Sequence, residues 1–113
     1  MTTIERVVFA AGINNRHSSD DELQRNAAQL RQLQNALNGR FFVAGIPSSN
    51  RMPRELQDDI ARINDFLNEQ TETGHFIEPA NDAQTVFFSD NIHYTRRTGT
   101  QMVNIVRNFF LER

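Results

Sequence analysis

The sequence contains no cysteine, no lysine and no tryptophan. The absence of cysteine excludes disulfides, thiolate catalysis and cysteine-based metal sites. All 12 basic residues are therefore arginine, they form no basic block, and the net charge of the chain is -2. A chain with this charge pattern is not expected to bind nucleic acid electrostatically.

Long apolar runs are missing as well. No stretch approaches the roughly 20 apolar residues that span a membrane, and the first segment, MTTIERVVFAAG, lacks the apolar region of a signal peptide. We therefore expect a soluble chain without a membrane partner, whose compartment is not encoded in any recognisable signal. Its 113 residues correspond to one domain or part of one, so residues 1–113 are interpreted as a single, partial domain.

Three short apolar runs predict the strands of a buried sheet. The segment RVVFAAG, rich in Val, predicts a strand at 5–11, and RFFVAGIP predicts a second strand at 41–46. The segment HFIEP, residues 75–79, predicts a short third strand. Gly, Asn or Pro ends these runs, as is typical where a strand gives way to a loop.

Apolar residues at helical spacing predict three helices between and after these strands. Ser19 and Glu22 form an S-x-x-E capping box before a series of leucines, which predicts a helix over 20–38. The same spacing predicts a second helix at about 53–69 and a last helix, with a broad apolar face, at about 98–111.

The order β-α-β-α-β-α predicts an α/β fold with three layers, in which a parallel sheet of about three strands lies between helices. Ligands of such sheets bind beyond the carboxyl ends of the strands. Three segments are expected there: GINNRH, IPSSNR, and EPAND running on toward SDNIHY.

Two of these segments carry motifs of a known family. GINN, residues 12–15, occupies the place of a G-x-N-D block, and DNIH, residues 90–93, that of a D-x-x-H block before a last helix. In order and separation the chain resembles the carboxyl-terminal two-thirds of an SGNH hydrolase, also called the GDSL esterase/lipase family. The resemblance implies a partial flavodoxin-like fold and hydrolysis of carboxylic esters, often acyl groups on sugars and lipids.

The resemblance also implies roles for individual residues. Asp90 would orient His93, and His93 would be the general base that takes a proton from a nucleophilic serine. Gly12 and Asn14 would lie at the oxyanion and substrate-binding position, where the Asn14 amide could donate to the developing oxyanion. Asn15 stands where the family has Asp. No His, Asp or Glu spacing fits a known metal pattern, so no metal or cofactor is expected.

Ordinary structural roles for the same residues stay open. Asp90 could be a turn or cap residue, His93 a loop histidine, and Asn14 a turn residue that tolerates positive φ. Local serines are weak candidates for the nucleophile, because Ser19 is better explained as an N-cap and the Ser48-Ser49 pair as part of a turn.

The G-D-S-L block that carries the serine has no counterpart in the sequence. The family sheet has the strand order 2-1-3-4-5, of which this chain would retain 3-4-5. Its first strand, with Val7, Val8 and Phe9, would then be an uncovered apolar edge. We expect a second chain, or a second copy, to cover this edge; truncation of a longer enzyme is the third alternative.

Three functional hypotheses follow. The first is a part of an ester hydrolase acting on an acyl ester, nearly inactive alone because the serine comes from elsewhere. The second is a non-catalytic structural or binding module that reuses the half-fold within a larger assembly, such as a virus particle. The third is an unrelated α/β domain that matches by chance.

Overall fold

A computed structural model describes residues 6–10, 17–81, 85 and 94–112, and strands and helices alternate along these residues. The elements, in chain order, are β1 (Val7–Phe9), α1 (Asp20–Leu37), β2 (Phe41–Ala44), α2 (Arg54–Gln70), β3 (Phe76–Ile77) and α3 (Arg96–Leu111). The strands form one parallel sheet in the order β1-β2-β3. The predicted α/β class, the parallel three-stranded sheet and the order of the elements are therefore confirmed.

The side chains of β2 point alternately to the two faces of the sheet and contribute to a core on each face. Phe41 and Val43 pack with α1 and α2 on one face of the sheet, where Leu30, Ile60 and neighbouring residues form the larger core. On the other face, a second cluster contains Phe42, Ala44 and Ile77, together with apolar side chains of α3. All four residues of β2 are buried. The sheet is thus the middle of three layers, because successive side chains of a strand point to opposite faces.

The helix ends follow from their caps. Ser19 is the N-cap of α1, and its Oγ accepts the Glu22 backbone N–H at 3.2 Å, as the capping box predicts. The last helix begins at Arg96 rather than at the predicted position 98, because the Thr95 side chain caps it by accepting the Thr98 N–H. A hydroxyl cap of this kind satisfies one of the N–H groups that a helix leaves free at its start.

The strands are shorter than predicted. Arg6 and Ala10 lie outside β1, and β3 comprises Phe76–Ile77 rather than 75–79. Pro79 contributes to this shortening, because its nitrogen carries no hydrogen for a ladder hydrogen bond. Among the described residues, no helix has the length and apolarity needed to cross a membrane.

Candidate functional site

The segments that follow β2 and β3 run side by side beyond the carboxyl ends of their strands. The Gly45 N–H donates to the Ile77 carbonyl at 2.9 Å, and the Ser48 N–H donates to the Ala80 carbonyl at 3.0 Å. Ser48 and Asn81 also form an isolated parallel bridge. The pairing of β2 with β3 therefore continues past the strands, at the edge of the sheet where ligands of such folds bind.

A close approach at Gly45 and a pair of hydrogen bonds from Asn64 hold these segments in place. Gly45 lies so close to the β3 exit that a Cβ there would be 2.7 Å from Pro79 Cδ and 2.9 Å from Phe76 Cζ. From α2, the Asn64 amide accepts the Ile46 N–H at 2.7 Å and donates to the Ile46 carbonyl at 3.0 Å. The backbone at this edge is thus fixed by close packing on one side and by a bidentate side chain on the other.

A cleft of about 470 Å³ lies between α2 and these two segments. Its wall on α2 includes Asn64 and Asp65, and its opposite wall includes Ser48, Glu78 and Asn81. Ser48 is only 7% exposed, and its Oγ makes no hydrogen bond to any of the residues that the structure describes. The hydroxyl of the neighbouring Ser49 differs, since it accepts the Arg51 N–H at 3.2 Å. Polar groups therefore converge on the cleft, and one nearly buried hydroxyl there keeps its hydrogen-bonding capacity.

The family-like residues are not among those described. The described ranges do not include Gly12, Asn14, Asp90 and His93. The oxyanion and acid–base roles that the resemblance implies for these residues therefore stay predictions. In the sequence, the first two follow β1, and the last two stand between β3 and α3. The strands that precede these two segments, β1 and β3, end at the same edge of the sheet, because the sheet is parallel.

Both histidines among the described residues, His17 and His75, contact neighbouring residues of the fold. His17 is exposed, with Nδ1 3.7 Å from the Asp59 carboxylate. His75 lies at the opposite, amino-terminal end of β3, where its ring stacks on Phe42 with centroids 4.4 Å apart. Its Nδ1 lies 2.9 Å from the Phe41 carbonyl oxygen. Because a carbonyl only accepts, this contact requires a proton on Nδ1 of His75.

In the described part of the chain, no group of three or more His, Asp or Glu residues is arranged to hold a metal ion. The carboxylate of Asp20 instead bonds the Arg62 guanidinium at 3.0 Å, and the same guanidinium donates to the Ser18 carbonyl at 3.1 Å. These contacts fix the start of α1 on α2. The acidic residues near His17 thus serve the helix start, as the capping pattern indicates.

Sequence reasoning missed the α2 wall of the cleft. Asn64 and Asp65 are polar residues of an amphipathic helix. The spacing of the apolar residues in that helix predicts that polar positions such as these face solvent. The two loop segments were found, since IPSSNR and EPAND follow strands. Only the sheet order, which puts β2 beside β3, brings these segments together with α2.

Comparisons of the chain with protein-family models, with curated proteins and with solved structures found no match. No relative therefore supplies a function for this chain. The function must be inferred from its own residues and their arrangement.

Proposed function

We propose that this chain is the carboxyl-terminal part of an ester hydrolase of the SGNH type, with an acyl ester as its substrate. Asp90 orients His93, and His93 is the general base. Gly12 and Asn14 line the oxyanion position. The nucleophilic serine comes from a segment outside these 113 residues, either on the same polypeptide or on a partner chain.

The strand order is the observation that supports this proposal most. Strands 3, 4 and 5 of the family sheet are neighbours in that order, and the order β1-β2-β3 in this chain has the same form. The family's first strand, which precedes the serine, would lie beside β1. Among the described residues β1 pairs with β2 alone, and Val7 is 40% exposed. The apolar edge thus lies where the serine-bearing segment would dock.

The chemistry assigned to these residues is an acyl transfer. The serine Oγ attacks the ester carbonyl carbon while His93 takes the hydroxyl proton, and the carbonyl oxygen becomes an oxyanion. As the tetrahedral intermediate collapses, the imidazolium returns that proton to the departing alcohol oxygen. Water then releases the acid by the same steps. An amide donor such as that of Asn14 can lower the barrier by about 3 kcal/mol.

A titration of the three histidines tests the Asp90–His93 pair without needing the serine. A carboxylate beside an imidazole stabilises the charged form, so we expect the pKa of His93 to fall in Asp90→Asn. The imidazole signals of His17 and His75 in the same NMR spectra are internal controls and should be unaffected by the substitution. An unchanged pKa of His93 would remove the orienting role of Asp90 and with it the catalytic proposal.

Hydrolysis of p-nitrophenyl acetate tests the origin of the serine. The purified chain should hydrolyse this ester at the background rate. Hydrolysis above background that is lost in His93→Ala would show a nucleophile within the chain and contradict its external origin. Ser48→Ala and Ser49→Ala would then locate it, because these serines lie at the carboxyl edge of the sheet.

A second candidate function is a non-catalytic module within a larger assembly. It is favoured by the exposed apolar residues of α3, since Val103 is 64% exposed and Leu111 is 75% exposed. Val103 and Leu111 are eight residues apart on α3, about 12 Å along the helix, and a partner that lies along α3 would cover both. This function predicts that the pKa of His93 is the same in the native chain and in Asp90→Asn.

A further inference from the structure

The described residues that line the cleft between α2 and the β2 and β3 exits have an excess of negative charge. Among them are three carboxylates and one guanidinium, and that guanidinium, of Arg54, is 3.3 Å from Asp58. Asp65 and Glu78 form no ion pair with any described residue. Two carboxylates thus face this cleft without a cationic partner among the residues that the structure describes.

The Ser48 hydroxyl is a second and independent feature of the cleft. The side chain is more than nine-tenths buried, yet its Oγ is unpartnered within the described residues. No buried side-chain N or O atom of the described residues lacks a partner, so this Oγ keeps contact with solvent at the cleft. A ligand in the cleft that hydrogen-bonds to it would take the place of water. The Asn81 side chain adds a further polar group to the wall that carries Ser48.

The cleft also has an apolar part. Ile60, Ala61 and Pro79 line it beside the polar residues. Such a surface suits the methylene stem of a ligand whose charged head lies among acceptors, as for the long side chains of basic residues. Its volume of about 470 Å³ lies within the range of small-ligand sites, which is roughly 300 to 1,000 Å³.

We infer that this cleft binds an alkylguanidinium or alkylammonium group. The N–H groups of the cation would donate to Asp65, Glu78 and the Ser48 Oγ, and the stem would lie along Pro79 and Ile60. The site needs little rearrangement, since Gly45 and Asn64 already fix the surrounding backbone. A small amine or an arginine or lysine side chain of a peptide could carry the group.

Calorimetric titration with agmatine tests this inference on the whole chain. Agmatine should bind, and n-butylurea, which has a similar shape but no charge, should not. Glu78→Gln should weaken agmatine binding about threefold, the scale of one exposed ion pair. Ser48→Ala should weaken it about threefold, the scale of one hydrogen bond.

Glu69→Gln is the matched control, because Glu69 is an exposed carboxylate of α2 that does not line the cleft. It should bind agmatine as the native chain does. Equal weakening by Glu69→Gln and Glu78→Gln would indicate nonspecific attraction and overturn the site. Failure of agmatine to bind the native chain, or equal binding of n-butylurea, would overturn it as well.

A parallel titration with the peptide acetyl-Gly-Arg-Gly-amide distinguishes the two sources of the cation. Tighter binding of the peptide would indicate a protein partner, and tighter binding of agmatine a free amine. The inference does not depend on the hydrolase proposal. Weaker agmatine binding in Glu78→Gln together with an unchanged His93 pKa in Asp90→Asn would support the cleft and reject the hydrolase.

Discussion

The side-chain amide of Asn64 satisfies both backbone groups of Ile46, which lies 18 residues earlier in the chain. It pairs with the segment leaving β2 as the backbone of a neighbouring strand would. One residue of α2 thereby fixes the loop that carries Ser48. The geometry of the cleft therefore depends on a helix position that makes no contribution to the apolar face.

Asn64→Ala should lower the free energy of unfolding by about 2 kcal/mol, because it leaves a partly buried N–H and a partly buried carbonyl unpaired. Denaturant unfolding measures the loss. Asn68→Ala is the control, since it brings the same gain in helix propensity one turn later on an exposed position. Equal stability of the two variants would show that the Asn64 pair with Ile46 contributes nothing.

Gly45→Ala and Gly99→Ala should change stability in opposite directions. At Gly45 the new methyl group would meet the rigid ring of Pro79 at 2.7 Å, and overpacking of this kind costs about 1–3 kcal/mol. At Gly99, inside α3, the nearest atom is 3.7 Å away in Tyr94. Alanine there should stabilise the helix by about 0.5–1 kcal/mol. Thermal unfolding of both variants shows whether each is more or less stable than the native chain. A Gly45→Ala variant as stable as the native chain would contradict the close approach of β3 to Gly45.

His75 combines a hydrogen bond and a ring stack that two substitutions can separate. His75→Phe keeps a ring over Phe42 and loses the bond to the Phe41 carbonyl, so we expect a loss of about 1 kcal/mol. His75→Ala loses the stack as well, which should add about 1 kcal/mol. Denaturant unfolding of the native chain, His75→Phe and His75→Ala should give free energies of unfolding that decrease in that order. A His75→Phe variant as unstable as His75→Ala would mean that the stack contributes nothing.

The parts of the fold that were predictable have local causes. The α1 start follows from a cap and its partner three residues apart, and β2 is a continuous apolar run, as expected of a strand covered on both faces. The predicted α3 start is too late because the apolar spacing that indicates the helix begins only at Met102, whereas the Thr95 cap starts the helix at Arg96.

The cleft could not be predicted in the same way. Ser48, Asp65 and Glu78 come from three separate parts of the sequence, and only long-range pairing brings them to one place. Each residue taken alone fits a turn or a solvent-facing position. The family-like motifs at Asn14 and His93 are visible in the sequence for the opposite reason, since each is a short local pattern.

The edge formed by β1 should make the isolated chain associate. Its residues Val7, Val8 and Phe9 carry no charge that would discourage pairing, and natural sheets commonly place charged residues on such edges. The neighbouring cation, Arg6, lies over the Phe110 ring at 4.6 Å from its centroid. Light scattering at micromolar concentration should therefore show species larger than one chain.

Val7→Lys should shift that population to the monomer, because a charged side chain on a half-exposed edge position opposes strand pairing. Val103→Lys is the matched control, since it adds the same charge to an exposed apolar position of α3, which is not part of the sheet edge. If Val103→Lys dissociates the chain and Val7→Lys does not, the α3 face is the contact and β1 is not. A native chain that is monomeric throughout would show that the β1 edge is stable without a partner and would remove the strongest support for a docking serine-bearing segment.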